Sequence, residues 1–224
     1  MSNLEHESDR QRFSDTRCAL FDLDGTLINT IDLICRSFDY AVQNVLGQKL
    51  SRQELIKNIG RPLMVQMRTF SEDKAEQLMD AYNQHNLAHH DQHVFEYPHT
   101  AATLNWLKYE KELKIGVVTS KIRDISLRGL ELTGLLKFID AVVAMEDTKE
   151  HKPNPDPVEE ALKRLDCGAK ESFFIGDSPF DIDAGKSAGV LSGAALWGPF
   201  SPEELRAHNA DFELLEISDL RQYL

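Results

Sequence analysis

The chain has 224 residues, a formal net charge of -12 and a hydrophobic fraction of 42%. This length fits one large domain or a core with a smaller insert, and the apolar fraction is enough for a sizeable core. The acidic excess argues against a general nucleic-acid or anionic-membrane surface, although a local cation can still draw an anionic substrate into one pocket. No apolar run is long enough to span a membrane. We therefore expect neither nucleic acid nor a membrane as a partner.

The amino-terminal segment and the cysteines predict the compartment. Residues 1–16 are polar and of mixed charge, without the apolar centre of a signal peptide, and are expected to form a frayed extension. The three cysteines, Cys18, Cys35 and Cys167, show no C-x-x-C spacing. An odd number without such spacing predicts reduced thiols in a cytoplasmic protein, and neither a disulfide framework nor a zinc site.

The first chemically informative segment is FDLDGTL at residues 21–27, which follows a short apolar run. Asp22 and Asp24 are two residues apart, so at the end of a strand their side chains point to the same side. Two like charges in that arrangement repel unless a cation or a shared proton holds them. The alternative is a strand followed by an ordinary Asp-Gly turn.

Three later segments add polar residues at the ends of apolar runs or in a stiff loop. They are KIGVVTS at residues 114–120, HKPNPDP at residues 151–157 and FFIGDSPFD at residues 173–181. An aspartate pair, a threonine followed by a serine, a lysine and a second acidic pair are the residue types that a phosphoryl-transfer site requires. The sequence therefore predicts that these four segments meet in one site.

The spacing of apolar residues predicts a helical insert between the first and second strands. Apolar side chains recur every three or four residues from Ile31 to Val45, and Gly47 follows as a stop signal. Ser51 begins a capping box for a second helix, residues 59–63 read as a loop, and Ser71 opens a long helix to about Asn86. With no strand signal across this span, we expect residues 30–95 to form a separate helical cap.

From Pro98 onward, short apolar strands alternate with helices. Strands are expected at residues 115–118, 141–144, 173–175, 190–196 and 211–215. This alternation predicts an α/β protein with a parallel sheet covered on both faces, built from residues 17–29 and 96–224. In such folds the site lies beyond the carboxyl ends of the strands, where the motifs fall.

The four motifs, in this order, resemble those of haloacid-dehalogenase-superfamily phosphatases with a helical cap. Within that superfamily the chain is most similar to bacterial phosphoglycolate phosphatases and the small cytosolic inorganic pyrophosphatases, the latter through residues 21–30 and the histidine-rich residues 82–91. The resemblance implies a Rossmann-like parallel sheet with an inserted cap. It also implies a Mg²⁺-dependent phosphohydrolase that acts on a small phosphorylated anion through an aspartyl-phosphate.

The resemblance supports the roles that the acidic residues can take. Asp22 is expected to attack phosphorus, and Asp24 to protonate the leaving group and then activate water. Asp177, with Asp22 and the backbone carbonyl of Asp24, is expected to bind Mg²⁺. The alternative for Asp22 is a metal ligand with no nucleophilic role. Asp181 is either a partner of the metal ligands or a helix-starting residue favoured by the helix dipole.

The remaining site residues are expected to bind the phosphoryl group and the substrate. Thr119 and the backbone amide of Ser120 can donate to the phosphoryl group, Lys152 can neutralise it, and Gly25 lets the backbone approach it. Thr119 and Ser120 can also be an ordinary strand-to-helix cap. Arg61 is a candidate for a second anionic group of the substrate, or an exposed loop arginine.

Weaker candidates lie close to these motifs or in the cap. Lys121 and Arg123 follow the second motif, and Trp106 and Trp197 are expected to pack. His85, His89 and His93 are four residues apart, so a continuing helix presents them on one face. We expect a solvated or substrate-facing surface there, with a zinc site as the alternative.

Phosphoglycolate and pyrophosphate are the leading substrates, and the chain is expected to be a monomer or a homodimer. A beta-phosphoglucomutase-like phosphomutase is the alternative function, because it uses the same core residues. A non-catalytic binding module is disfavoured by the complete set of site residues. Dehalogenation is disfavoured because, in this superfamily, it goes with loss of the second aspartate, and Asp24 is present.

Overall fold

The computed structural model describes residues 11–224, and six parallel strands form the sheet at its centre. In chain order the strands are β1 (Cys18–Phe21), β2 (Ile28–Asn29), β3 (Phe95–Glu96), β4 (Lys114–Val118), β5 (Ala141–Val143), β6 (Ser172–Gly176), β7 (Leu191–Ala195) and β8 (Phe212–Leu214). The order across the sheet is β5-β4-β1-β6-β7-β8, and β2 pairs separately with β3.

Helices connect the strands and cover the sheet. They are α1 (Ile31–Leu46), α2 (Arg52–Ile56), α3 (Leu63–Phe70), α4 (Ala75–His93), α5 (Thr100–Tyr109), α6 (Arg123–Leu132), α7 (Asp156–Leu165), α8 (Pro179–Ala188) and α9 (Pro202–Arg206). Short 3-10 turns lie at Leu136–Phe138, Met145–Asp147, Ala169–Glu171 and Ile217–Gln222.

Strand β1 lies inside the sheet, and each of its four residues is apolar and fully buried. It pairs in parallel with β4 on one side and with β6 on the other. Successive side chains of β1 enter two different hydrophobic clusters, one on each face of the sheet, with Phe21 in one and Leu20 in the other. A strand buried on both faces needs an unbroken apolar sequence, which is why the apolar run before Asp22 predicts such a strand. The predicted α/β fold class with a parallel sheet is confirmed.

We call α1, α2, α3 and α4 the cap helices. They lie between β2 and β3, an antiparallel pair of two-residue strands that the sequence did not indicate. The cap helices share a cluster that includes Phe38, Met67 and Leu78, which also receives side chains of the core such as Ile182. The boundaries of a separate cap domain stay a prediction.

Two details of the predicted cap helices are wrong. Residues 63–70 form helix α3, whereas the end of the predicted loop and the residues after it had no assigned helix. Ser71 ends α3 in an extended conformation, and the long helix α4 begins at Ala75 and continues to His93. The signal for α3 is weak because Pro62 precedes it and supplies no capping side chain.

The predicted frayed extension is only partly described, since residues 1–10 lie outside the described residues. Phe13, within the predicted extension, is 3% exposed and packs its ring against Phe173 and Phe212. This part of the segment is therefore attached to the core and not frayed. Within residues 11–224, no helix combines the length and apolar character needed to cross a membrane.

The prediction of three reduced thiols is wrong for two of the cysteines. The structure joins Cys18 of β1 to Cys167, which follows α7, in a disulfide with Cα atoms 6.4 Å apart. The partners are separated by 149 residues, so sequence spacing gives no signal for the pair. Cys35 is free and buried in the cap helices, and burial raises the pKa of its thiol.

Candidate active site

Three neighbouring strands deliver the predicted site residues to one edge of the sheet. Asp22 follows β1, Thr119 follows β4, and Asp177 follows β6. The strand order places β1 between β4 and β6, so the three ends are adjacent. The backbone continues the ladder one residue further, because the Asp22 amide donates to Ile175 and the Thr119 amide donates to Val143. All three side chains are buried.

Lys152 lies at the centre of this cluster and holds two of its carboxylates. Its Nζ donates to Asp22 Oδ1 and to Asp181 Oδ1, each at 2.6 Å, and to the Val118 carbonyl at 3.3 Å. The lysine side chain is 1% exposed. A buried ammonium is stable only when it is paired and hydrogen-bonded, and here all its donors have partners. The proline-rich loop thus brings a fixed cation to the strand ends.

Asp181 has the helix-starting position that the sequence offered as one alternative, and it also binds Lys152. It lies in the first turn of α8, where Ser178 forms a reciprocal capping box with it. Its Oδ2 accepts from the Ser178 hydroxyl at 2.5 Å and from the Ser178 amide at 3.1 Å, while its Oδ1 accepts from Lys152. Both carboxylate oxygens therefore accept hydrogen bonds, and the role of Asp181 as a partner of the metal ligands stays a prediction.

Burial dominates the electrostatics of the acidic residues. Desolvation raises the pKa of Asp22 to about 7, against the opposing effect of Lys152. Desolvation, followed by the charges of Asp22 and Asp181, raises the pKa of Asp177 well above its usual value. Burial lowers the pKa of Lys152, but Asp181 and Asp22 more than compensate, so its pKa lies above its usual value. The site therefore has more negative charge than one lysine neutralises.

The acidic cluster fits a divalent cation. Among the described residues, Asp22, Asp177 and Asp181 form the one group of three potential ligands, with ligand atoms within 4.8 Å of one another. Thr26 donates to Asp177 Oδ1 at 2.7 Å, whereas the buried Oδ2 has no hydrogen-bond partner. An orphaned carboxylate oxygen beside a second carboxylate is a suitable hard ligand for Mg²⁺.

Gly25 is required by this geometry. Its φ is +92°, and a Cβ built on it lies only 2.3 Å from Asp177 Oδ2. Any side chain here displaces the very oxygen that lacks a partner. A Cβ built on Gly198 likewise lies 2.3 Å from the Asp177 Cβ, and the sequence did not single out this glycine. Binding of the phosphoryl group by Gly25 stays a prediction.

Asp24 is held by two residues whose roles the sequence analysis missed. Thr30 and Lys121 donate to the same oxygen, Oδ1, at 2.6 and 2.8 Å. Lys121 was a weak candidate for a second substrate anion, and the structure pairs it with Asp24 across 97 residues. The sequence signal that could place Lys121 in the site is its position directly after Thr119 and Ser120.

The loop between α2 and α3 touches the core beside the site. The Ser120 hydroxyl donates to the Gly60 carbonyl at 2.6 Å. Gly60 has a φ of +98°, and a Cβ on it lies 2.8 Å from Ser178 Oγ. Next to it, the Arg61 guanidinium lies 5.0 Å from the centre of the Phe180 ring. Thr119 Oγ1 accepts from the Lys121 amide at 3.2 Å. Helix α6 has Ile122 at its N-cap and no capping side chain, so neither Thr119 nor Ser120 is the helix cap that the sequence left open.

Apart from Lys121, the weaker candidates make their contacts away from the site aspartates. Arg123 pairs with Asp147, and Trp197 donates to the Thr26 carbonyl at 3.0 Å. His89 and His93 direct Nδ1 to the carbonyls one turn back, and the His85 and His89 rings stack at 4.4 Å. Within residues 11–224 these histidines belong to no potential metal site.

A protein-family model matches most of this chain. Residues 19–195 match the model of the haloacid dehalogenase-like hydrolases. The chain belongs to this family. The haloacid dehalogenase-like match spans the residues that carry all four motifs, so the family resemblance inferred from them is confirmed, as is the expectation of a hydrolase.

Individual relatives show which members of the family the chain is similar to. The chain is 38% identical over 202 residues to pyrophosphatase PpaX of Listeria welshimeri, covering 90% of this chain and 93% of the relative. It is 37% identical over 201 residues to pyrophosphatase PpaX of Halalkalibacterium halodurans, with the same coverage. The crystal structure of a predicted phosphoglycolate phosphatase from Haemophilus somnus 129PT matches with a TM-score of 0.85 and 22% identity, over 93% of this chain and 97% of that chain.

Proposed function

We propose that this protein is a Mg²⁺-dependent phosphohydrolase that acts on a small phosphorylated anion through an aspartyl-phosphate, with pyrophosphate and phosphoglycolate as the first candidates. The observation that carries the proposal is the environment of Asp22. This carboxylate lies at a strand end, buried, 2.6 Å from the ammonium of Lys152 and beside a second carboxylate with an orphaned oxygen. The pyrophosphatase names of relatives near 40% identity support the substrate class.

Asp22 is suited to attack phosphorus. Lys152 fixes Oδ1, which orients the carboxylate and leaves Oδ2 for bond formation. Lys152 also offsets charge on the transferring phosphoryl group, and a preorganised charge of this kind typically contributes a factor of roughly 10² to 10³ in turnover. Thr119, at the neighbouring strand end, borders the same cavity as Asp22 and would donate to the same group.

Asp24 is suited to move protons. Because Thr30 and Lys121 both bind Oδ1, the other oxygen is the one left to exchange a proton. It would protonate the leaving group during formation of the acyl-phosphate. It would then take a proton from the water that hydrolyses this intermediate, which returns Asp24 to its starting state.

Asp22 and Asp177 would hold Mg²⁺ with the backbone carbonyl of Asp24. The ion would supply positive charge that lets an anionic phosphate enter a site with several carboxylates. Arg61, which borders the same cavity, is the candidate for contact with a second anionic group.

The test is phosphate release with Mg²⁺ from pyrophosphate, phosphoglycolate, sugar phosphates and nucleotides. We expect one substrate to reach a kcat/KM above roughly 10⁴ M⁻¹ s⁻¹ and the Asp22→Asn variant to abolish it. Arg61→Ala is expected to weaken hydrolysis of one of the two leading substrates more than the other. Turnover that survives Asp22→Asn contradicts the nucleophilic role, and equal, feeble rates on both leading substrates contradict the assigned substrate class.

A further inference from the structure

A single cavity of about 390 Å³ extends from the catalytic residues to the cap helices. Asp22, Asp24 and Thr119 border it at the core, and Phe38, from α1, borders it on the side of the cap helices. Cavities of roughly 300 to 1,000 Å³ are the usual size for organic ligands. One phosphoryl group at Asp22 therefore leaves much of this volume for the rest of the substrate.

Apolar side chains form most of the wall away from the aspartates. They are Ile34, Phe38, Ile59, Pro62, Leu63, Met64, Met79, Leu87, Ile122, Ile125 and Met145. Two of them, Leu87 on α4 and Ile122 on the core, are 46% and 44% exposed although they are large and apolar. Apolar surface that stays accessible on both sides of a cleft is typical of a ligand-binding site.

The wall holds few charges. Among the described residues that line the cavity, the cations are Arg61 and Lys121. Lys121 pairs with Asp24 at 2.8 Å, whereas Arg61, whose guanidinium lies 5.0 Å from the centre of the Phe180 ring, remains for a second anionic group. Away from Arg61, a charged group seated against the apolar side chains would lose its hydration without a partner, which is strongly unfavourable. An uncharged group fits there.

In the part of the cavity wall that the structure describes, one buried polar atom lacks a hydrogen-bond partner. Gln66 is buried, and its Nε2 donates to the Arg61 carbonyl at 2.6 Å. Its Oε1 is buried without a partner among the described residues. A hydroxyl or amide donor on an otherwise apolar ligand would satisfy it.

The cavity belongs to an arrangement in which the cap helices are seated on the core. The contact of Ser120 with Gly60 and the close fit of Gly60 against Ser178 fix the loop that leads into Pro62, Leu63 and Met64. A ligand in the cavity thus lies between both parts of the molecule, which removes part of its apolar surface from water.

We propose that the enzyme also hydrolyses phosphate monoesters whose alcohol is uncharged and mainly apolar, with the alcohol bound against this wall. This rests on the phosphohydrolase function proposed above. An oxygen of Asp22 bonds to phosphorus as the ester P–O bond breaks, the alcohol leaves with a proton from Asp24, and water then releases phosphate and restores both carboxyl groups.

The test is a chain-length series of methyl, butyl and hexyl phosphate, assayed with Mg²⁺ beside pyrophosphate and phosphoglycolate. The leaving alcohols have nearly the same acidity, so differences report binding of the chain. A fully buried methylene corresponds to about a fourfold gain, and half burial to about twofold. We expect kcat/KM to rise at least about 30-fold from methyl to hexyl phosphate.

A matched pair of variants on α3 locates the effect. Met64 lines the cavity, whereas its neighbour Val65 is 36% exposed and does not. Met64→Gln keeps the side-chain size and adds a polar end, and should reduce the hexyl-to-methyl ratio of kcat/KM at least about fivefold. Val65→Gln should leave that ratio unchanged. An unchanged ratio in Met64→Gln, or an equal reduction in both variants, overturns the assignment of the wall.

Two outcomes separate this inference from the proposed function. A flat chain-length series in an enzyme that hydrolyses pyrophosphate or phosphoglycolate overturns this inference alone. If no substrate is turned over, calorimetric binding of hexylphosphonate and methylphosphonate to the Asp22→Asn variant with Mg²⁺ decides it. Tighter binding of hexylphosphonate, by at least about 30-fold, supports the apolar site, and equal binding overturns it.

Discussion

Replacing Lys152 by methionine tests the central ion pair. Its ammonium is 1% exposed and lies 2.6 Å from both Asp22 and Asp181, whose side chains are 5% and 1% exposed. Removing one partner of a buried pair costs about 3 to 5 kcal/mol, because the other charge stays buried and unpaired. Here two carboxylates lose the same partner, so we expect the upper end, about 5 kcal/mol, which for a chain of this size lowers Tm by roughly 10 to 20 °C.

The loss should depend on pH in a defined direction. The carboxylates left behind are disfavoured in their ionised form, so the folded state holds protons that the unfolded state releases. Destabilisation is therefore largest near pH 8 and smaller near pH 5. Urea denaturation at both pH values gives the free energy of unfolding, and phosphate release should fall by roughly 10² to 10³.

Lys163 provides a matched control for this experiment. It lies on α7, is 81% exposed and pairs with Glu160 at 3.5 Å. Lys163→Met should change the free energy of unfolding by less than about 0.5 kcal/mol, as is usual for surface pairs. If Lys152→Met is as stable as Lys163→Met at pH 8, the buried pair does not have the role assigned to it.

Three further predictions concern the metal site. Mg²⁺ at about 100 times its Kd should stabilise the protein by about 2.7 kcal/mol, seen as a rise in Tm, and Asp177→Asn should lose this rise; an undiminished rise would mean that Asp177 is not a ligand. In EDTA, the free energy of unfolding should fall as pH rises from about 4 to 7, because the pKa of Asp22 is raised to about 7 in the folded protein and its usual value is 3.8; the loss from Asp22 is about 4 kcal/mol, and Asp22→Asn should reduce the pH dependence in denaturation experiments but not abolish it, because the pKa of Asp177 is also raised. Gly25→Ala places a Cβ 2.3 Å from Asp177 Oδ2, whereas a Cβ on Gly47, also at positive φ, meets no atom within 4 Å; phosphate release should drop more than about 100-fold in Gly25→Ala and stay unchanged in Gly47→Ala, and similar activities would refute the steric argument.

The positions of the main site residues could be predicted because they follow buried strands. An unbroken apolar run before Asp22 or Asp177 identifies a strand of a parallel sheet, and parallel strands end at one edge. Once β4, β1 and β6 are neighbours, Thr119, Asp22 and Asp177 must be close. The local sequence therefore predicts the edge of the sheet at which these residues lie, and the strand order decides which of them are neighbours.

Contacts between distant segments could not be predicted in this way. Lys121 is 97 residues from Asp24, and Cys18 is 149 residues from Cys167, so neither pair has a local pattern. Helix α3 escaped prediction because no capping side chain marks its start after Pro62. These features depend on how the cap helices and the sheet pack, which periodicity alone does not determine.

Under the proposed function, the charge of the site would link metal binding to substrate entry. Asp22, Asp177 and Asp181 are buried together against the single ammonium of Lys152. A phosphate that approaches this cluster would meet net negative charge, and the raised pKa of Asp22 and of Asp177 reflects the same crowding. A divalent cation at the orphaned oxygen of Asp177 would relieve both problems, because it would favour ionised Asp22 and attract the phosphate. The apolar cavity wall would then need no charge of its own, and selectivity among substrates would depend on the group beyond the phosphoryl.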